Sequence, residues 1–240
     1  AAASSDTSGF RRAASLAMGH TFNLLGSGPV HLTYETIAPG AFGSRFDAAP
    51  GPAAEVDQRS KMTELLESAI ARCPFDPAVV DQLRAAISEY RPIDWHLDLK
   101  SGYRWEPSDW HMDVPIGQTA GADIKVPWEL SRGHHLVALA LAGAGCGIER
   151  ANEELSLQLL DWIAANPSPF GANWRSAMDV SIRAANWCWA LAIAGEEHVP
   201  TPIRYIVASS LSEHALFMES HLDYAPIGTT NHSLADIVGL

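Results

Sequence analysis

Four long stretches of helical hydrophobic spacing, at residues 126–144, 150–165, 173–195 and 201–222, constrain the fold more than any other feature of the sequence. In the second stretch, Leu155, Leu159 and Trp162 recur at intervals of three and four residues, as on one face of an α-helix. The connections between the stretches are short and contain glycine or proline, and short connections make consecutive helices antiparallel neighbours. We therefore predict an all-α fold in which successive helical hairpins form a toroid or a bundle.

The first quarter of the chain carries weaker patterns. One helix is predicted over residues 10–25, because the helix-breaking sequence Gly-Ser-Gly-Pro follows it at residues 26–29. Residues 28–59 are rich in glycine and proline, which indicates irregular structure with a short strand. The chain therefore divides into a lead-in with one helix at residues 1–59 and a helical domain at residues 60–240.

Two short amphipathic helices are predicted at residues 60–72 and 77–90. Asp76 is a suitable N-cap for the second helix, with Pro77 as its first residue. A connection of about thirty residues follows at 91–123, and a loop this long in a compact protein is usually functional or held by packing. The residues expected to provide that packing are Trp95, Trp105 and Trp110.

Composition excludes several classes of function. The formal net charge is −12 and only 18% of residues are charged, which argues against the clustered basic surface that non-specific nucleic-acid or membrane binding needs. An acidic substrate remains possible, because a local basic groove can lie on an acidic protein. No run of 18 apolar residues is present, so no membrane span is predicted. We expect neither a metal nor a cofactor, since the ten histidines include no metal-ligand spacing and no nucleotide-binding motif is present.

The three cysteines, Cys73, Cys146 and Cys188, are odd in number and contain no CxxC pair. This pattern favours buried free thiols over a disulfide framework. Two histidines of the last long helix, His214 and His221, are seven residues apart and are predicted to be core histidines with satisfied hydrogen bonds.

The first candidate site is the predicted helix start at residues 126–135, where Pro127 is expected as the first helical residue. Glu129 and Arg132 are three residues apart and able to pair, and Trp128 lies on the same side as Arg132. A tryptophan ring beside a guanidinium suits an acidic sugar, because the ring stacks on the pyranose while arginine binds the carboxylate or sulfate. The alternative interpretation is a surface ion pair beside a packed tryptophan.

Two later helix starts are also candidates. Asn173 and Trp174 either face a ligand, or Asn173 simply caps its own helix. In the same helix, an i,i+4 pair of Asp179 with Arg183 is predicted to be a structural bridge.

The third candidate, Asn231 with His232, places an amide and an imidazole where a helix N-terminus favours anions. A second N-cap is the alternative there.

The order of these segments resembles the N-terminal region of heparinase II/III family polysaccharide lyases over about residues 85–240. The matching segments are residues 93–96, 102–105, 125–132, 161–163, 166–167, 171–174 and 231–232. The resemblance implies an incomplete (α/α) toroid followed by an antiparallel β-sandwich. Residues 233–240 read as the opening of a further helix, so we expect the chain to be truncated before that sandwich.

The resemblance also implies a reaction, β-elimination on an acidic polysaccharide of uronates. A base removes the C5 proton while the C4–O bond breaks, and the uronate carboxylate must first be neutralised. Asn231 matches the asparagine that has this role, and His232 adjoins it. The residues expected to bind substrate are Trp128, Glu129, Arg132, Asn173, Trp174 and His232.

The tyrosine and histidine that act as base and acid are expected beyond residue 240, so the 240-residue chain by itself should be inactive. Position 230 is threonine where the family often has asparagine or glycine, which leaves the identity of the polysaccharide open. The family is usually periplasmic or secreted.

Two other classes of function compete with a lyase. One is a helical scaffold that binds glycans without catalysis. The other, a glycoside hydrolase, requires two carboxylates across a cleft, and Glu129 is the only obvious one.

Overall fold

The structure, a computed structural model, describes residues 8–41, 43–46, 49–222 and 231–239, and this part of the chain is mostly helical, as predicted. None of its helices combines the length and the apolar character that crossing a membrane requires. The helices are α1 Ser8–Met18, α2 Pro52–Arg72, α3 Pro77–Glu89, α4 Lys125–Ser131, α5 His134–Ala140, α6 Glu149–Ala165, α7 Ala177–Ala194, α8 Thr201–Ser220 and α9 Asn231–Gly239.

The N-terminal region differs from the prediction in its boundaries. Helix α1 ends at Met18, because the chain turns through His20, which has a φ of 45°, into a short hairpin. That hairpin pairs β1, Thr21–Phe22, with β2, Val30–His31, in antiparallel register. Helix α2 begins at Pro52 and runs through residue 59, so the predicted domain boundary falls inside a helix.

This region also shares the main hydrophobic core with the later helices. Ala14 and Ala17 of α1, together with Phe22 and Leu32 of the hairpin region, are buried in the same cluster as the apolar faces of α6 and α7. Burial of this apolar surface stabilises the N-terminal region as a part of the fold rather than as a separate lead-in.

Helix α3 begins as the sequence predicted. The Oδ1 atom of Asp76 accepts a hydrogen bond from the backbone N–H of Ala78 at 2.9 Å, and Pro77 is the first helical residue. The cap satisfies one of the N–H groups that have no partner within the first turn.

The helix predicted over residues 126–144 is interrupted. Gly133 lies between α4 and α5 with a φ of 74°, which glycine adopts far more readily than other residues. A π-helical turn, Leu141–Gly145, then follows α5 directly. Pro127 is the third residue of α4 and not the first. The hydrophobic spacing continued through the break, so periodicity alone did not locate it.

The remaining helices surround an interior rich in tryptophan. Helix α6 packs against α2, α5 and α8, whereas α7 packs against α5, α8 and α9. Trp162 of α6 and Trp187 of α7 are both buried, with ring centroids 5.1 Å apart in an edge-to-face arrangement. Such aromatic pairs add specific geometry to the apolar burial that holds these helices together.

The connection between α3 and α4 is held by packing, as expected. Trp95 and Trp105 are buried, but Trp110 is 45% exposed and packs edge-on against Phe170. Buried Asp161 of α6 accepts hydrogen bonds from the Trp95 indole at 3.0 Å and from the backbone N–H of Ile93 at 2.8 Å. The connection is therefore fixed to the core at its start.

Candidate functional site

A groove of about 570 Å³ lies where α4, the connection before it, the start of α7, the end of α8, and α9 meet. This volume is in the range of small-ligand sites. Four of the residues predicted from sequence line it together, although they come from two distant segments: Trp128, Glu129, Arg132 and His232.

Asn231 lies at the edge of this groove. It is the first residue of α9, its side chain is exposed, and its Nδ2 atom is 3.8 Å from the sulfur of Met178. Met178 belongs to the first turn of α7 and lines the groove. The amide therefore lies at the surface beside the groove and is not packed into the interior.

The α4 residues are fixed by contacts with the segment that precedes α7. The indole N–H of Trp128 donates to the backbone oxygen of Ala172 at 2.7 Å. Arg132 donates through Nη1 to Glu129 at 2.5 Å, as predicted, and through Nε to Asp179 at 2.7 Å. The guanidinium is thus held between two carboxylates.

The predicted structural bridge between Asp179 and Arg183 is wrong. Asp179 pairs instead with Arg132, which reaches it from α4. Arg183 is completely buried, donates through Nε to the Nε2 atom of His214 at 2.8 Å, and lies over the Trp162 ring at 4.1 Å. An i,i+4 spacing permits a pair, but here both partners find better-placed groups on other helices.

Asn173 and Trp174 do not face the groove, contrary to the prediction that they bind substrate. They lie in a 3-10 turn, Ala172–Trp174, and are 1% and 0% exposed. Asn173 donates to the backbone oxygen of Trp95 and to the side chain of Asn166, and the Trp174 indole donates to the backbone oxygen of Asn166. Nor does Asn173 cap α7, because Ser176 occupies that position.

The turn that contains Asn173 and Trp174 packs instead against buried groups of α7 and α8. The backbone oxygen of Asn173 accepts from Arg183 at 3.1 Å, and the Trp174 ring lies 4.6 Å from the ring of His214. Burial lowers the pKa of Arg183 to about 9, although the negative charge of Asp179 acts to raise this pKa. Burial, with the nearby charge of Arg183, holds the pKa of His214 well below its usual value.

Among the titratable residues that line the groove, sequence reasoning missed four, namely Lys125, Arg175, His111 and His221. His221 was predicted to be a core histidine with His214, but it is exposed and stacks on Phe217, with the ring centroids 4.2 Å apart. Arg175 adjoins Trp174 and Lys125 lies three residues before Trp128, and this proximity to predicted site residues was the available signal. His111 falls in the aperiodic connection, where no pattern marked it.

His111 is unusual because it is 1% exposed and neither ring nitrogen has a hydrogen-bond partner among the described residues. Its ring packs edge-on against Phe217 at 5.1 Å and against His221 at 4.9 Å. Burial, followed by the charges of His221 and Arg175, lowers its pKa. The ring is therefore neutral at neutral pH, with one N–H to donate and one nitrogen to accept.

Other reactive groups lie outside the groove. The three cysteines are free thiols, but Cys73 and Cys146 are half-buried and Cys188 is exposed, so the prediction that they are buried is wrong. In the described ranges, no three histidine, cysteine, aspartate or glutamate side chains converge as ligands for a metal ion.

Comparison of the chain with models of known protein families, with curated proteins and with solved structures found no match.

Proposed function

We propose that the groove binds a uronate-containing acidic polysaccharide and that the protein cleaves it by β-elimination. The observation that carries the proposal is the convergence of Trp128, Glu129, Arg132 and His232 on one groove with Asn231 at its edge. On this proposal, the helices belong to an (α/α) toroid, and the β-sandwich follows in the complete protein.

Charge supports an acidic ligand. The protein as a whole carries a formal charge of −12, yet Lys125 and Arg175 line the groove beside an Arg132 that is paired with Glu129 and Asp179. A cation-rich cleft in an otherwise acidic protein concentrates field lines and attracts anions locally. The Trp128 ring offers an apolar face on which a pyranose ring packs.

The proposed chemistry assigns one task to this chain. A base takes the C5 proton of the uronate, the C4–O bond breaks, a C4=C5 double bond forms, and the departing oxygen receives a proton. The Asn231 amide donates a hydrogen bond to the uronate carboxylate, which stabilises the negative charge that develops as C5 loses its proton. His232 orients that amide or contacts the sugar. Proton transfer is assigned to a tyrosine and a histidine beyond residue 240. We place the reaction in the periplasm or outside the cell.

The test is the Asn231→Ala variant of the full gene product, assayed by the ultraviolet absorbance of the unsaturated uronate that β-elimination creates. Loss of one charge-stabilising donor is expected to lower the turnover rate by about 10²- to 10³-fold. The matched control is Leu234→Ala, because Leu234 lies on the same helix with 65% of its surface exposed. This control should keep the wild-type rate, and circular dichroism should show both variants folded.

Two results would contradict the lyase proposal. Full activity of the Asn231→Ala variant would show that catalysis does not need the residue assigned to charge stabilisation. Binding of polyuronate by the full gene product without any unsaturated product would favour the competing function, a glycan-binding helical domain without catalysis.

A further inference from the structure

Two of the three guanidinium nitrogens of Arg132 donate to protein carboxylates. Its Nε donates to Asp179, whose side chain is 1% exposed, and its Nη1 donates to Glu129. Two carboxylates on one guanidinium leave a local charge of about −1, which repels an anionic ligand. Arg132 is therefore poorly suited to bind the acidic group that the sequence assigned to it.

Arg175 is in the opposite state. No carboxylate pairs with it in the part of the chain that the structure describes, and its nearest polar contact is a weak one, from Nη1 to the sulfur of Met112 at 3.8 Å. Its Nε atom is enclosed and has no hydrogen-bond partner there. A guanidinium that is partly desolvated and not neutralised gains strongly when an oxyanion arrives, because a charge-assisted, forked hydrogen bond becomes available.

A histidine in the same groove lining as Arg175 also lacks hydrogen-bond partners among the described residues. His111, which lines the same groove, is 1% exposed and has both ring nitrogens enclosed without partners. Buried polar groups are normally hydrogen-bonded, so the His111 ring brings to the groove lining a donor and an acceptor that no described residue satisfies. Lys125, with its side chain exposed, adds a second cation to the groove lining, and α7 begins two residues after Arg175.

We propose that Arg175, with His111 in the same groove lining, binds a second acidic group of the same glycan, a carboxylate or a sulfate ester, while Arg132 is a positioning residue that holds α4 to α7. The inference rests on the proposed function for the identity of the ligand. It deepens that function, because it makes the groove selective for chains that carry charge on two sugars. Asn231 serves the sugar that reacts, and Arg175 serves a different one.

The first experiment uses inorganic sulfate, which is independent of any enzymatic activity. Nitrogen-15 NMR of the arginine Nε–H groups is recorded while sulfate is added, and the two resonances are assigned with the Arg175→Lys and Arg132→Lys variants. The Arg175 resonance should shift and saturate, while the Arg132 resonance stays in place because its partners are internal. A response at Arg132 alone, or at neither residue, overturns the inference.

The second experiment measures the affinity of the chain for trigalacturonate by calorimetry. Arg175→Gln should weaken binding by roughly 10- to 100-fold, as expected for the loss of a charge-assisted hydrogen bond. Arg175→Lys should recover part of the loss, because it restores charge but not the fork. Arg150→Gln, a change of the same charge at a residue outside this groove, is the matched control and should bind as wild type.

The two experiments separate failure of this inference from failure of the proposed function. A saturable sulfate response at Arg175, together with full activity of Asn231→Ala in the full gene product, retains the oxyanion site and contradicts the lyase proposal. Unchanged affinity of Arg175→Gln for trigalacturonate, in a protein whose activity depends on Asn231, overturns this inference alone.

Discussion

Replacement of Arg132 by glutamine should destabilise the protein far more than its position at the groove suggests. The substitution leaves Asp179 with its side chain 1% exposed and without its cationic partner, on the first turn of α7. Removing one partner of a buried ion pair costs about 3–5 kcal/mol, because the remaining charge stays desolvated. Since 23% of the Arg132 side chain is exposed and water can enter from that side, we expect a loss near the lower limit, about 3 kcal/mol.

A double-mutant cycle isolates this effect. Asp179→Asn removes the stranded charge, so Arg132→Gln with Asp179→Asn should recover about 2 kcal/mol relative to Arg132→Gln alone. Glu129→Gln is the matched control, since the Glu129 side chain is 27% exposed and such pairs contribute about 1 kcal/mol or less. Urea unfolding followed by tryptophan fluorescence measures all four variants, because five of the eight tryptophans are buried. A loss below about 1 kcal/mol for Arg132→Gln, or no recovery in the double variant, would refute the positioning role.

Two further predictions concern the fold. The lowered pKa of His214 keeps it neutral in the folded protein, while the unfolded chain takes up a proton near pH 6.5. The free energy of unfolding is therefore unaffected by this residue above about pH 6.5 and falls by up to about 1.4 kcal/mol per pH unit below it. Urea unfolding midpoints at pH 7.5 and pH 5 would measure the difference. His214→Gln should reduce that dependence, and an unchanged dependence would refute it. Gly143→Ala should lower the free energy of unfolding by about 1–3 kcal/mol, because the new Cβ would lie 1.9 Å from Oδ1 of Asn152. The control Gly145→Ala meets no atom within 4 Å and should be as stable as wild type. Equal melting temperatures for the two variants would contradict this packing.

Sequence patterns predicted the elements whose signals are local. The Asp76 cap, the helical spacing of α6 and α8, and the helix start at Asn231 all depend on neighbouring residues, and the structure contains each of them. The prediction that Trp128 and His232 share one site came instead from the order of segments in a family resemblance.

Tertiary contacts decided the elements that the sequence did not predict. The local sequence around Asn173 is typical of a helix N-cap. Its side-chain amide instead donates a hydrogen bond to the backbone oxygen of Trp95, 78 residues away in the chain, and this contact holds it in the interior. Gly133 divides a continuous hydrophobic pattern through its backbone conformation, which periodicity does not report. His111 became visible only when folding enclosed its ring beside Phe217. Each of these depends on residues distant in sequence, beyond what local spacing records.

The central claim is that the groove beside α9 holds an acidic glycan with a carboxylate at Asn231. The most direct measurement is a crystal structure of the protein soaked with trigalacturonate. We expect a sugar ring on Trp128 and one uronate carboxylate within hydrogen-bond distance of the Asn231 amide. Trigalacturonate bound at another surface, with this groove empty, would contradict the claim.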